Sequence, residues 1–138
     1  MYEKIMVASD GSSLSMRAAA AAAAIARALS AELTVATVAY FPQAYEDDVG
    51  SEMREGYKED WKRVLKETVG EAASHGVKPE SRLLEGEPAG ALLDEAERGQ
   101  YDLLVVGRTG AGSPGSRVMG GISRKIVEKA NCSVLVVR

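Results

Sequence analysis

The chain has 138 residues, 46% of them apolar, and a formal net charge of −3 at neutral pH, which suits one domain with its own core and excludes an intrinsically disordered segment. Lys and Arg are scattered, with no basic face and no aromatic residues interleaved among them, which argues against nucleic-acid binding. The one cysteine, Cys132, cannot close an internal disulfide, Arg27 breaks the longest apolar-looking stretch (Ala18 to Leu29), and no signal segment precedes Asp10, so the expectation is a soluble cytoplasmic protein without membrane contact.

A first strand, Ile5 to Ala8, stops at Ser9-Asp10-Gly11-Ser12, a turn-and-cap cluster in which Asp10 suits a helix N-cap. A helix follows from about Ser13 to Leu29, and its seven consecutive alanines, Ala18 to Ala24, combine high helix propensity with a smooth face for close packing. Leu33 to Ala39 is rich in β-branched residues and reads as the second strand. From Phe41 to Gly50 the chain turns acidic and irregular, with Glu46-Asp47-Asp48 read as solvated surface rather than a metal site. A charged amphipathic helix spans roughly Glu52 to Ser74. Tyr57, Trp61, Val64, Leu65, Thr68, Val69 and Ala72 fall at three- and four-residue steps, so Trp61 reads as core rather than ligand platform. His75, the only histidine, sits near that helix end, where the helix dipole accounts for it.

The third strand lies near Ser81 to Leu84. Pro88 suits the first turn of a helix to about Arg98, and Gly99 suits its stop. Leu103 to Val106 is the fourth strand, Ile122 to Ala130 the last helix, and Val134 to Val137 the fifth strand, with Cys132 packed just before it. Strands alternating with helices predict a parallel sheet covered on both faces, a doubly wound three-layer α/β sandwich, with no linker or repeat dividing residues 1–138. Ligands in such sheets sit beyond the carboxyl ends of the strands, where the winding reverses. Asp10-Gly11, the end of strand two after Val38, and Gly107 to Gly110 all lie there.

The fourth strand leads into Gly107-Arg108-Thr109-Gly110 and, ten residues on, Gly120-Gly121-Ile122-Ser123 at a helix start. A strand, a glycine-rich loop and a helix N-terminus together can hold phosphates, because glycine admits close backbone approach and the first amides of a helix point outward. Other phosphate loops fail on the residues present. No Gly-Lys-Ser/Thr tripeptide exists for a Walker loop. Gly110-Ala111-Gly112-Ser113-Pro114-Gly115 matches the letters of a dinucleotide fingerprint, but Pro and Gly prolong the loop, and the segment ~20 residues on is an apolar strand rather than an acidic ribose ligand. Asp10 stands alone where a phosphoacceptor domain has paired acids, and Ser9-Asp10-Gly11-Ser12 does not match a pyrophosphatase-type loop.

The remaining pattern, Gly-x2-Gly-x9-Gly, resembles that of the universal stress protein family in its single-domain form. The likeness runs end to end, through Ile5 to Ser12, Gly86-Glu87-Pro88, Tyr101 to Gly107 and Ala130 to Val137. It implies a five-stranded sheet of order 3-2-1-4-5, adenine nucleotide alpha hydrolase-like, and a homodimer paired through the last strand, Val134, Leu135, Val136 and Val137, an apolar edge of the kind that invites pairing. It also implies ATP, with Mg2+, as ligand. Gly107 and Gly110 would approach the ribose and phosphates, and Gly120, Gly121, Ile122 and Ser123 would grip the phosphates. Val38 would line the adenine pocket, and Ala8, Ser9 and Asp10 would meet the nucleotide from the first strand. Ala8 stands where relatives often have proline or another small residue. A carboxylate repels phosphate, so the contact expected of Asp10 is a ribose hydroxyl or a bridging Mg2+. Arg108, Arg117 and Arg124 flank the loop and either screen triphosphate charge or are simply solvated.

One residue departs from the pattern: Gly121 stands where the family prefers Ser or Thr after the third glycine. A lost hydrogen bond to a charged group is worth about 1.5–3 kcal/mol, unless Ser123 or Ser116 supplies the hydroxyl. No general base is evident, so the chain reads as a nucleotide-dependent regulatory module rather than an enzyme. The alternatives are a nucleotide-free partner-binding adaptor and a slow ATPase or autophosphorylating protein.

Overall fold

The computed structural model describes residues 1–40, 51–109 and 119–138. In chain order the elements are β1 (Lys4–Ala8), α1 (Ser13–Leu29), β2 (Glu32–Ala39), α2 (Ser51–Ala73), β3 (Glu80–Glu85), α3 (Pro88–Arg98), β4 (Leu103–Gly107), α4 (Gly121–Lys129) and β5 (Ser133–Val137). All strand pairs are parallel, and the sheet order is β3-β2-β1-β4-β5, as the family resemblance implies. The expected acidic segment Phe41 to Gly50 and the loop residues 110–118 lie outside the described residues.

Side-chain alternation along the strands divides the core in two. Ile5, Val7, Leu33, Val35, Leu103 and Val105 face α1 and Ala72 of α2. Met6, Ala36, Val38, Leu104 and Val106 face the other way, against Ala89, Leu92 and Ala96 of α3 and Ile126 of α4. Ala18, Ala19, Ala22, Ala23 and Ala26 form the buried stripe of α1, so the alanine run acts as a low-relief helix face on the sheet. Among the described residues no helix is long and apolar enough to cross a membrane.

The start of β1 is clamped to the start of β4. The Asp102 carboxylate accepts from the amides of Glu3 and Lys4 at 2.9 and 3.1 Å, and Lys4 donates through Nζ to the carbonyl of Gly99 at 2.6 Å. This fixes the register in which Ile5 sits beside Leu103 and Val7 beside Val105. The chain then leaves β1 toward α1 on one face and β4 toward α4 on the other, so the sheet opens between them at its carboxyl edge.

Glu95 of α3 is a charged residue that the sequence did not single out. Its side chain is 3% exposed and is held by Arg82 of β3 at 3.1 Å and Arg98 at 2.7 Å. Burial pushes the carboxyl up, but the two guanidinium groups outweigh it and hold it below the ordinary glutamate value. A depressed folded-state value stabilises above the ordinary value of 4.5 and stops doing so as pH falls through the folded one. Glu95→Gln should therefore cost about 1–3 kcal/mol at neutral pH. In urea titrations the gap from wild type should shrink as the pH drops below the ordinary carboxylate range, and a pH-independent gap would contradict the ionic assignment.

Candidate functional site

The opening between β1 and β4 holds a cavity of about 360 Å³. Its apolar wall is Ala8, Ala36, Val38, Pro88, Leu92 and Val106, and its polar side includes Asp10, Thr109 and the start of α4 at Gly120 to Ser123. Of the residues expected at the site, Ala8, Ser9, Asp10, Val38, Gly107, Gly120, Gly121, Ile122 and Ser123 all line this one cavity. Arg108 does not line it. Its main chain continues the β4–β5 pairing, with its N–H donating to Val137 and its carbonyl accepting from Gly120, both at 2.8 Å. Gly110, Ser116 and Arg117 lie outside the described residues.

The β1 end is locked by hydroxyl groups. Thr68 Oγ1 donates to the Val64 carbonyl at 2.8 Å and Ser15 Oγ to the Ser12 carbonyl at 2.9 Å, so both protons are committed. The Ser9 proton is then assigned to Thr68 Oγ1 at 2.7 Å, while Ser9 Oγ accepts from the Gly11 amide. This side chain, expected to touch nucleotide, thus ties β1 to α1 and α2. The cap of α1 also differs from expectation. Ser12, not Asp10, accepts from the Ser15 amide, and Asp10 Oδ1 instead accepts from the Ser12 amide at 2.9 Å, a turn that places the cap. Gly11, at φ +85°, is pressed to within 3.2 Å of Val64 at the position a Cβ would take.

The α4 end is organised by Gly107 and Ser123. Ser123 Oγ donates to the Gly107 carbonyl, joining the start of α4 to the end of β4. That proton is spent, so Ser123 cannot also donate the hydroxyl missing at Gly121. A Cβ at Gly107 would lie 3.2 Å from the backbone carbon of Leu14, so this glycine lets α1 approach β4. Among the described residues a Cβ at Gly121 would meet nothing within 4 Å. The cap of α4 is Gly120, in extended backbone, and among the described residues no side chain caps the helix. By contrast Ser12 caps α1 and Glu87 caps α3. The Gly121, Ile122 and Ser123 amides precede the first helical bond, Arg124 N–H to Gly120 O, and no side chain among the described residues accepts from them.

Two residues carry roles that sequence reasoning assigned differently or missed. Trp61 is half-buried rather than core: it lines the cavity and donates through Nε1 to the Tyr40 carbonyl at 3.1 Å. Helical periodicity identified the correct face of α2 but not how far along its axis the sheet extends, and Trp61 lies past the end of β2. Glu87 caps α3, accepting from Gly90 at 2.6 Å and Ala89 at 3.2 Å. The Gly90 amide is the main cause holding its carboxyl below the ordinary value, against burial, with Ala89 and Lys125 helping. An acidic residue directly before Pro88 was the available signal. His75 pairs with Glu71 at 3.3 Å, and Cys132 packs against the α3–α4 side of the core, where burial pushes its thiol up.

The universal stress protein family model matches residues 1–138. The chain belongs to the universal stress protein family. A universal stress protein of Thermus aquaticus is 39% identical over 140 residues, covering all of both chains. A crystal structure of a universal stress protein in complex with cAMP is 31% identical with a TM-score of 0.77, covering 99% of this chain and 97% of that one. An Arabidopsis thaliana family protein with AMP bound is 25% identical with a TM-score of 0.71, covering 98% and 90%. In this family member Gly107 has a packing role whatever occupies the cavity. Gly107→Ala should lower stability by about 1–3 kcal/mol through overpacking, measured by chemical denaturation, and a neutral effect would show that α1 yields without cost.

Proposed function

We propose that this chain is a nucleotide-dependent regulatory module that binds ATP in the cavity between β1 and β4. The observation that carries the reading is the meeting of an aliphatic wall with an α4 N-terminus that no side chain among the described residues caps, in one cavity of a size usual for small ligands. Val38, Ala36 and Ala8 suit the face of a base. Asp10 suits a ribose hydroxyl, and the amides of Gly121, Ile122 and Ser123 suit phosphate oxygens. Relatives of the same fold with cAMP and with AMP bound support the adenosine part of this reading. Among the described residues no cluster of three or more His, Cys, Asp or Glu side chains could hold a metal ion. Mg2+ would therefore be carried largely by phosphate oxygens, with Asp10 the candidate protein ligand. Switching would follow from a difference in affinity between two conformations of the module.

The α4 amides can hold an anion but lack the hydroxyl the family prefers, and among the described residues nothing crowds a side chain at Gly121. Calorimetric titration with Mg-ATP should show binding, and Gly121→Ser should tighten it by about one to two decades. Absence of heat at millimolar nucleotide, together with no adenine nucleotide released on denaturing the purified protein, would favour the second reading that Gly121 supports, a nucleotide-free adaptor.

We further propose a homodimer through β5. This strand forms one edge of the sheet, and Val134 to Val137 are only half-buried, which leaves an apolar edge able to pair with its mate. Val136→Lys should shift sedimentation toward the monomer while circular dichroism stays native. An unchanged sedimentation profile would remove this interface.

A further inference from the structure

The cavity has two chemically different ends. Amides of α4 supply one, and the other carries its only aromatic lining among the described residues, Tyr40 and Trp61. Trp61 is the sole tryptophan of the chain. Its N–H is already satisfied by the Tyr40 carbonyl, so what the indole offers a ligand is its face. The same two side chains also border an adjoining cleft of about 580 Å³, so the indole stands as a partition rather than a core plug. Its position is well supported. Val64 and Thr68 lie one and two turns further along α2 on the same face, and they touch Gly11 and Ser9 at the tip of β1.

We propose that Trp61 is the base-recognition surface of the cavity: its indole stacks on the ring of the bound nucleotide and sets a preference for purines over pyrimidines. The proposal rests on the nucleotide reading above and adds the residue that reads the base. A larger purine ring gains more from stacking than a pyrimidine does, whereas the amides of α4 meet phosphates that are the same in every nucleotide.

The test titrates the full-length protein with ATP, UTP and inorganic tripolyphosphate, following heat and tryptophan emission in parallel. ATP should bind and quench the emission, UTP should bind more weakly, and tripolyphosphate should leave the emission unchanged. Trp61→Leu should weaken ATP by roughly five- to a hundredfold and bring the ATP-to-UTP affinity ratio toward one. Trp61→Phe should keep most of that ratio, and together with the wild-type emission it decides the matter if the leucine variant fails to fold. Calorimetric ATP binding with unchanged emission, or an equal loss of ATP and UTP affinity in the variants, would overturn the role of Trp61 while leaving the nucleotide reading intact. No calorimetric binding of any nucleotide would overturn both.

Discussion

The parallel pairing of β1 with β4 is the constraint on which the rest of this structure depends. These strands are neighbours in the sheet but far apart in sequence, and their register is set at the opposite edge by Asp102, whose carboxylate grips the first amides of β1. Because α1 leaves one strand toward one face and α4 leaves the other toward the opposite face, none of the described elements fills the gap between the two strand ends. A cavity at that place is a consequence of winding order. Its chemistry comes from the residues that happen to terminate the strands.

Those residues divide their work. Hydroxyl groups that might have pointed at a ligand are spent on holding the frame: Ser9 on Thr68, Ser15 on Ser12, Ser123 on Gly107. Side chains cap α1 and α3, whereas among the described residues none caps α4, which begins at Gly120. The frame is thus closed where it packs and left with outward-facing amides where the cavity opens. Gly107 and Gly121 show the same division. Leu14 lies against one, while among the described residues space is open beside the other. A glycine motif in sequence therefore mixes packing glycines with ligand-facing ones.

This mixing shows what a linear reading can and cannot reach. Helix bounds were legible wherever a cap or stop stood in the chain: Ser13–Leu29 and Pro88–Arg98 are found at the residues expected. The two faces of the sheet followed from alternation, and the set of strand-end residues followed from strand order. Trp61 was read as core because a helical period identifies a face without saying where the facing sheet ends. Glu95 went unremarked because a glutamate in an amphipathic helix looks solvated until Arg82, thirteen residues away, is brought against it. Arg108 looked like a phosphate partner by its place beside Gly107, yet it is absent from the cavity lining to which Gly107 and Thr109 belong.

What this sequence determines alone is local and periodic: which segments are strands and helices, that the sheet is parallel and covered on both faces, and that small residues cluster after β1 and β4. Backbone preference and apolar spacing act over a few residues, so they are written in the chain. Only the folded arrangement decides which hydroxyl proton is already committed, which glycine is crowded, and which aromatic side chain borders a cavity. Each of those depends on distances between elements that are remote in sequence, and no local pattern encodes them.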